Sequence, residues 1–562
     1  DRNQSNITPK GYKTEENPEG GLGSINKWNQ VENDINASFT ASINHAFGDL
    51  TTRTKFRYLL EDQHTERFWV TGNDLVVGDV PTLAVAQGGK STDSDIFDVL
   101  AEGYFGIVAL DYQGKYIADA LVRRDGSSLF GSDERWQTYY RGSFAWRLAQ
   151  EDWWPVDAIN EFKLRFSYGT AGDRPGFAAQ YETYSVGGGQ IRPVNLGNKA
   201  LKPAFAAEAE YGVDMVLFDK VSTGFTYASS EITDQFLAVP LPSFAGFTTQ
   251  WRNAGALKSN TIEMFAEASI METQDMSWLT RVNFDRTRQE ITELDVPPYR
   301  FGSNSAFYMR AGEVYGTFYG NRWATTCAEI GPGGPDCSQF QVNDDGYLVY
   351  VGAGNNYTDG ISKSLWGTSA DGYDWGMPFK GQECDAAGDC TDFLPMGNTL
   401  PDFTISLSNT FRYKNLSIYG LLDWDVGADI YNSTAQWAYR ELKHGVVDQA
   451  GKAEGDMKPL AYYPLLYNVN EISSHFVEDG TYLKLRELSV RYTMDEDMIG
   501  GFAGLTRASL NLIGRNLFTW TDYSGYDPEV GDSWGGADAI GRIDSYQYPN
   551  YRTISASVEL VF

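Results

Sequence analysis

No stretch of this 562-residue chain is apolar for long enough to cross a membrane as a helix. Mean hydropathy is -0.39, and no run approaches the roughly 18 residues such a helix needs. A helical membrane protein is excluded. Basic residues are scarce too, 45 against 75 acidic ones, for a formal net charge of -30. That field repels phosphate backbones, which excludes nucleic acid as a partner. Histidine is limited to His45, His64, His444 and His475, spread across the chain. Neither HExxH nor GxSxG occurs, and Gly89, Lys90 and Ser91 lack the first glycine of a phosphate loop, where Ala84 stands. Catalysis finds no support, so the chain reads as no enzyme, with no catalytic residues.

Cysteine is limited to Cys327, Cys337, Cys384 and Cys390, all in one Gly/Asp/Pro-rich stretch. With no CxxC and no histidine nearby, a zinc site is disfavoured. An even number in one loop reads as two disulfides in an oxidising compartment, with three pairings open and local ones favoured by spacing. The first residue, Asp1, agrees with an exported chain that has shed its signal peptide.

Aromatics and glycine are abundant: 34 Tyr, 31 Phe, 15 Trp and 58 Gly. A barrel strand meets lipid with every second side chain only, so a hydropathy average hides it, while interfacial girdles raise the aromatic content. The alternation is present. At the carboxyl end, Ile554, Ala556, Val558, Leu560 and Phe562 share one face of a strand, opposite Thr553, Ser555, Ser557 and Glu559. Residues 136 to 148 place Trp136, Tyr140, Phe144, Trp146 and Leu148 opposite Gln137, Arg141, Ser143 and Arg147. Leu50, Phe56, Tyr58 and Leu60 oppose Arg53, Lys55 and Arg57.

Fifteen such strands are read, near residues 34–47, 50–61, 99–111, 115–124, 136–148, 160–170, 205–217, 220–231, 259–270, 276–289, 402–413, 415–427, 481–493, 505–516 and 551–562. Most run 10 to 14 residues, whereas strands of soluble sheets have about 5 or 6. Short connections alternate with long ones, 290–401 being the longest, and two of middle length, 149–159 and 494–504, fall in the short series. Bacterial outer-membrane barrels have that pattern, with short periplasmic turns and long extracellular loops. The expected fold class is therefore all-β, a multi-pass transmembrane antiparallel β-barrel. Residues 1–33 are expected as an extracellular loop and 34–562 as barrel. Single-chain bacterial barrels have even strand numbers, so fifteen implies either a misread strand or part of a larger barrel. In a closed barrel the terminal strand must pair on both edges, and one partner is expected near 505–516.

Five segments carry a resemblance: VRRDGSSLFG (Val122 to Gly131), INEFKLRFSYGTAGD (Ile159 to Asp173), PDFTISLSNTFRYKNLSIYGLLDWDVGADIYN (Pro401 to Asn432), VEDGTYLKLRELSVRYTM (Val477 to Met494) and GRNLFTWTDYSGYDPEV (Gly514 to Val530). In this order they resemble the SusC/RagA-type TonB-dependent outer-membrane transporters. That resemblance implies the outer membrane of a Gram-negative bacterium, a 22-stranded barrel and an amino-terminal plug. It also implies a TonB box and a SusD-like surface lipoprotein that closes over the barrel. Oligosaccharides or peptides are the implied cargo. Plug, TonB box and about seven strands have no counterpart in these residues, so the expected partners include that missing amino-terminal region, TonB through it, and outer-membrane lipid. A structural or adhesion barrel without active transport is the alternative. A soluble secreted β-protein is a third reading, which predicts solubility without detergent.

Arg124, Asp125, Gly126, Ser127 and Ser128 match the family's DGSS segment and are expected as a structural turn. Tyr523, Gly525, Asp527, Pro528 and Glu529 match its GYDPEV segment, read as ordering a loop. In the longest connection, Trp366, Tyr373 and Trp375 beside Asp371 and Asp374 suit sugar stacking and hydroxyl recognition, making them the substrate or lid candidates against plain loop packing. Val342 to Gly360 stands where the family often has an Asp-rich, calcium-loop-like segment, but it lacks spaced ligands and a terminal Glu. No metal ligand is named; calcium is the one cofactor left open.

Overall fold

The computed structural model describes residues 2–8, 21–77, 80–187, 189–302, 305–331, 336–358, 363–467, 471–500, 504–530 and 541–562. Sixteen strands follow one another in chain order in one hydrogen-bonded sheet. They begin with Arg2–Thr8, Ser24–Phe47 and Leu50–Asn73 and end with Tyr482–Asp495, Arg507–Thr521 and Thr553–Val561. All fifteen expected strands are present. The terminal strand pairs with Arg507–Thr521, Leu560 opposite Ala508.

The sixteenth strand corrects the reading of residues 1–33 as loop. Arg2–Thr8 pairs with the first residues of Ser24–Phe47, Gln4 opposite Trp28, and the Trp28 indole donates to Gln4 Oε1 at 2.8 Å. Apolar residues are few and irregularly spaced there, Ile7, Ile25 and Trp28 among polar neighbours, so no alternation announces the ladder. The intervening 9–20 lie outside the described residues.

The connections alternate as expected. Gly48 and Asp49 close the first tight turn, with Gly48 at φ +59° in the left-handed region a two-residue hairpin requires. The short series continues through 113–115, 218–220, 273–275 and 414–415, with 148–158 and 496–506 of middle length in the same series; the other series comprises 74–89, 128–135, 174–203, 234–254, 295–402, 427–481 and 522–552.

By contact, the chain divides into two compact units. In the first (1–146, 166–209 and 232–255), the apolar face of the wall is left exposed among the described residues. Ile35, Phe39, Ile43 and Phe47 on one strand are 60 to 70% exposed. A contiguous exposed apolar face marks a surface made for an apolar medium, and at about 1.5–3 kcal/mol each for full burial those four would gain roughly 6–12 kcal/mol from one. Two rows of rings mark its borders. Tyr58, Tyr104 and Trp136 form one, with centroids 5.2 and 6.0 Å apart; Tyr112, Tyr116 and Trp146 form the other, 6.2 and 6.0 Å apart. Ten residue steps separate Trp136 from Trp146 on one strand. At about 3.4 Å rise and about 40° tilt they span about 26 Å, matching the roughly 25 Å apolar band of an outer-membrane barrel.

The opposite face is polar and charge-paired. Arg141 meets Asp119 at 2.6 Å and Arg174 meets Glu61 at 2.9 Å. In the second unit (147–165, 210–231 and 256–562), Arg147 pairs with Glu161 at 2.8 Å, Arg165 with Asp214 at 2.9 Å, and Arg491 with Glu559 at 2.8 Å. This unit keeps its core in the connections instead of the sheet. Phe318, Tyr431, Tyr462, Ile472 and Phe476 are fully buried there. Long connection 295–402 is correspondingly folded, with a four-stranded sheet in the order Tyr299–Phe301, Phe307–Met309, Thr317–Asn321, Phe393–Asn398. The disulfides are the local ones, Cys327–Cys337 and Cys384–Cys390.

Candidate functional site

In the second unit, a cleft of about 350 Å³ opens between connections 295–402 and 427–481. Strand Thr317–Asn321 carries Asn321 to its floor. The Asn321 backbone N–H donates to Ile472 O at 2.9 Å, its Nδ2 donates to Glu471 Oε2 at 2.5 Å, and Arg300 Nη1 donates to Glu471 Oε1 at 2.6 Å. Burial alone would raise the Glu471 carboxyl, but these two hydrogen bonds outweigh it and hold it below the ordinary carboxylate range. Trp323 forms one wall, its indole donating to Ser473 Oγ at 2.7 Å. Met377, Phe379 and Leu466 supply apolar surface, and Tyr467 closes the side. Behind Tyr467 stands Trp437, 5.5 Å between centroids, with the Arg440 guanidinium over both rings at 5.5 and 5.0 Å.

Two buried polar atoms of this lining, Asn321 Oδ1 and the Tyr467 hydroxyl, have no hydrogen-bond partner among the described residues. A buried unpaired group costs about 1–3 kcal/mol. Neither atom has accessible surface; what the cleft presents is the aromatic and apolar wall of Trp323, Phe379 and Tyr467, which suits a neutral ligand. The charges at the rim are already engaged, Lys380 with Asp392 at 3.5 Å.

Of the residues singled out from the sequence, Tyr373 and Asp374 line this cleft and the others do not. Even Tyr373 spends its ring on packing, edge-on to Phe340 and Phe379 at 5.2 and 5.0 Å. Trp375 turns to Tyr350, 4.6 Å between centroids. Asp371 accepts from the Tyr350 hydroxyl at 3.3 Å, and Asp374 accepts from Ser369 Oγ at 2.5 Å. Trp366 sits under the Lys363 ammonium, 5.3 Å from the ring centroid. The expected open aromatic platform is therefore largely a loop core. Asn321, Trp323 and Tyr467 carried no signal in the sequence, because the cleft joins segments some 140 positions apart.

The calcium-loop-like segment is turned on a lysine. Lys458 Nζ lies 2.6 Å from Asp345 and 3.2 Å from Asp344, and the Tyr462 hydroxyl donates to Asp345 at 2.6 Å. Burial alone would raise Asp345 and lower Lys458; the contacts between them reverse both shifts. Among the described residues no cluster of three or more His, Cys, Asp or Glu could hold a metal; Asp359 and Gly360 lie outside them. Adjacent His475 is held between tyrosines, Nδ1 2.8 Å from the Tyr347 hydroxyl and Nε2 3.1 Å from that of Tyr439. Its burial pushes it down to about 4.

The DGSS segment is corrected in part. Arg124, Asp125, Gly126 and Ser127 end strand Tyr116–Ser127, and only Ser128 enters the connection. Asp125 accepts from Arg123 Nε at 2.6 Å within the strand. Gly126 lies beneath Trp136, where a Cβ would approach the ring to 2.9 Å, so close approach and not positive φ selects glycine. Ser127 Oγ accepts from Leu129 N at 3.2 Å and Ser128 Oγ from Leu100 N at 3.0 Å. Asp125 also lines a second cavity, about 410 Å³, on the charged face of the first unit with Arg123, Tyr139, Arg141 and Arg174. In the GYDPEV segment, the Tyr523 hydroxyl donates to Asp544 at 2.7 Å, Gly525 faces the Tyr523 ring, and Asp527 and Glu529, flanking Pro528, take hydrogen bonds from Lys484.

A family model described as "TonB dependent receptor-like, beta-barrel" matches residues 1–368. The chain belongs to that family. It is an outer-membrane β-barrel chain of a Gram-negative bacterium, and the girdle spacing and exposed apolar face agree with that setting. Relatives include TonB-dependent receptor P3 of Formosa agariphila, 29% identical over 82% of this chain and 45% of that one. TonB-dependent receptor SusC of Bacteroides thetaiotaomicron is 23% identical over 82% of this chain and 43% of that one. The chain thus spans about half the length of these relatives. Among solved structures, the RagAB peptide importer in its "closed-closed" state superposes with a TM-score of 0.74 at 19% identity, over 99% of this chain and 58% of that one. The family resemblance of the five motifs and the barrel fold are thereby met.

Proposed function

We propose that this chain forms the wall and outer mouth of a TonB-dependent importer of oligosaccharides or peptides, working with a SusD-like surface lipoprotein. The carrying observation is the cleft walled by Trp323, Phe379 and Tyr467, set in a folded layer of outer connections. Aromatic walls suit the neutral faces of sugars and the side chains of peptides. The charge-paired face would line a wet lumen, and a plug and TonB-contacting segment outside these residues would supply energy coupling. Its relatives bear the name TonB-dependent receptor, and one superposed structure is titled a peptide importer.

The test is uptake by whole cells given oligosaccharide or peptide mixtures as sole nutrient. Loss of uptake in a deletion strain, matched by loss in a strain without TonB, is the expected result. Unchanged uptake with failed surface attachment would assign the chain to the structural class instead.

A further inference from the structure

Strand Leu50–Asn73 of the first unit carries three bases in succession on its lumenal side, Arg53, Lys55 and Arg57. Register sets Phe56 and Tyr58 opposite Ala41 and Phe39 on the lipid side, so the three bases share the other face at intervals of about 6.8 Å. Each is flanked by neutral residues on both neighbouring strands: Asn44 and Ala109 beside Arg53, Ser42 and Ile107 beside Lys55, Thr40 and Phe105 beside Arg57. No carboxylate pairs with any of the three among the described residues. The carboxylates that register brings nearest are engaged elsewhere, Asp111 accepting from Gly114 N at 2.8 Å and Asp119 holding Arg141 at 2.6 Å.

Other bases of the wall are neutralised within it. On the same face Arg123, Arg141 and Arg174 hold Asp125, Asp119 and Glu61, and in the second unit Arg281 and Arg491 hold Glu267 and Glu559. In a chain of net charge -30, three like charges on one strand therefore stand without counter-charge and repel one another. The row also leads somewhere. The guanidinium of Arg57 lies 5.9 Å from the Phe105 ring centroid and that of Arg123 lies 4.7 Å from it, and Phe105 and Arg123 line the cavity of about 410 Å³ together with Arg141 and Arg174. Alongside the bases, Thr40, Ser42 and Asn44 form a parallel row of hydroxyl and amide groups.

We propose that this face is a binding track for an acidic oligosaccharide, a hydroxyl-rich chain carrying carboxylates along its length. This rests on the importer reading and narrows its cargo. The bases answer the carboxylates, and the Thr40, Ser42 and Asn44 row offers donors and acceptors to hydroxyls. An acidic peptide brings the charge but few hydroxyls for that second row. A fixed counter-charge from the amino-terminal region outside these residues is the poorer occupant, because the wall balances its other bases with carboxylates of its own.

The experiment is titration calorimetry on the complete transporter in detergent, with a hexamer of galacturonic acid, its full methyl ester and hexaglutamate as probes. The acid hexamer should bind at least tenfold tighter than its ester, and added salt should narrow the gap. The variant R53Q/K55Q/R57Q should abolish the gap while the barrel keeps its heat-modifiable migration in gels. Equal binding of acid and ester overturns the proposal, as does a gap that survives the triple substitution. Hexaglutamate bound as tightly as the acid hexamer assigns the row to acidic peptides and overturns the sugar reading. A variant that exposes the amino-terminal region to trypsin with the gap unchanged makes the row a clamp for that region, which also overturns it. Cells that take up nutrient through TonB although the transporter shows no gap spare the importer reading; uptake that does not depend on TonB sinks that reading whatever the binding.

Discussion

Lys484 donates to Asp527 Oδ1 across 2.6 Å from a side chain only 2% exposed. The same ammonium reaches Glu529 Oε2 at 2.9 Å, and Glu529 takes a second cation, Arg486, at 2.5 Å. Arg486 is the bulged residue of its strand, skipped in the pairing with both neighbours, and the bulge aims it at these carboxylates. Connection 522–552 is pinned to the wall here. Replacing Lys484 by Met leaves two carboxylates without their buried partner and should cost about 3–5 kcal/mol. Urea unfolding of the barrel in detergent checks this; an unchanged midpoint would sink the role given to the clamp.

The same clamp sets an acid limit. Burial alone would raise Asp527, but hydrogen bonds from Lys484 and the backbone hold it below its ordinary value. Its stabilising contribution is present above the unfolded carboxylate value of about 4 and is lost as pH falls through the lower folded one. Protease cleavage within 522–552 should therefore stay slow down to about pH 4 and rise below it. In Asp527→Asn it should already be fast at neutral pH.

His475 works in a higher window. Its folded value, about 4, lies below the ordinary value of about 6.5. The unfolded state thus gains a proton first, and stability of the loop layer falls between pH 6.5 and 4. Tryptophan fluorescence of the Trp323 region followed on acidification should move in that interval in the parent and stay flat in His475→Phe.

Girdle geometry predicts a depth gradient. Val122, opposite Tyr140, lies well inside the band, and Val122→Arg should cost about 2–4 kcal/mol. Trp136→Arg at the rim should lose only about 0–1 kcal/mol of charge burial plus its ring contacts. Unfolding from lipid vesicles measures both; equal costs would contradict a membrane centred between Trp136 and Trp146.

In the cleft, Tyr467→Ala removes one aromatic wall and should weaken ligand binding by about 1.5–3 kcal/mol, or roughly 12- to 160-fold. Titration calorimetry with the imported oligosaccharide or peptide reads this directly. Unchanged affinity would take Tyr467 out of the site.

Where apolar and polar side chains alternate, as from Trp136 to Trp146 or Ile554 to Phe562, sequence alone located the strands, because a period of two in a lipid-facing wall is a local property. Where apolar residues fall at irregular spacing, as Ile25, Trp28 and Val31 do between Ser24 and Asn33, the same ladder left no period of two. Glycine at 126 showed the limit of local reasoning: read as turn chemistry, it proved to be clearance for Trp136 on the adjacent strand. Tyr373 and Trp375 looked like a platform because sequence displays residue types but not which ring faces are already covered.

The sequence by itself determined class, wall and location, since each follows from which side chains recur at every second position and how long the connections are. Only tertiary structure decided the site. Asn321, Trp323 and Tyr467 meet because two long connections pack on a shared core of Phe318, Tyr431 and Tyr462, and packing between distant segments depends on shape and hydrogen-bond satisfaction that no periodicity records.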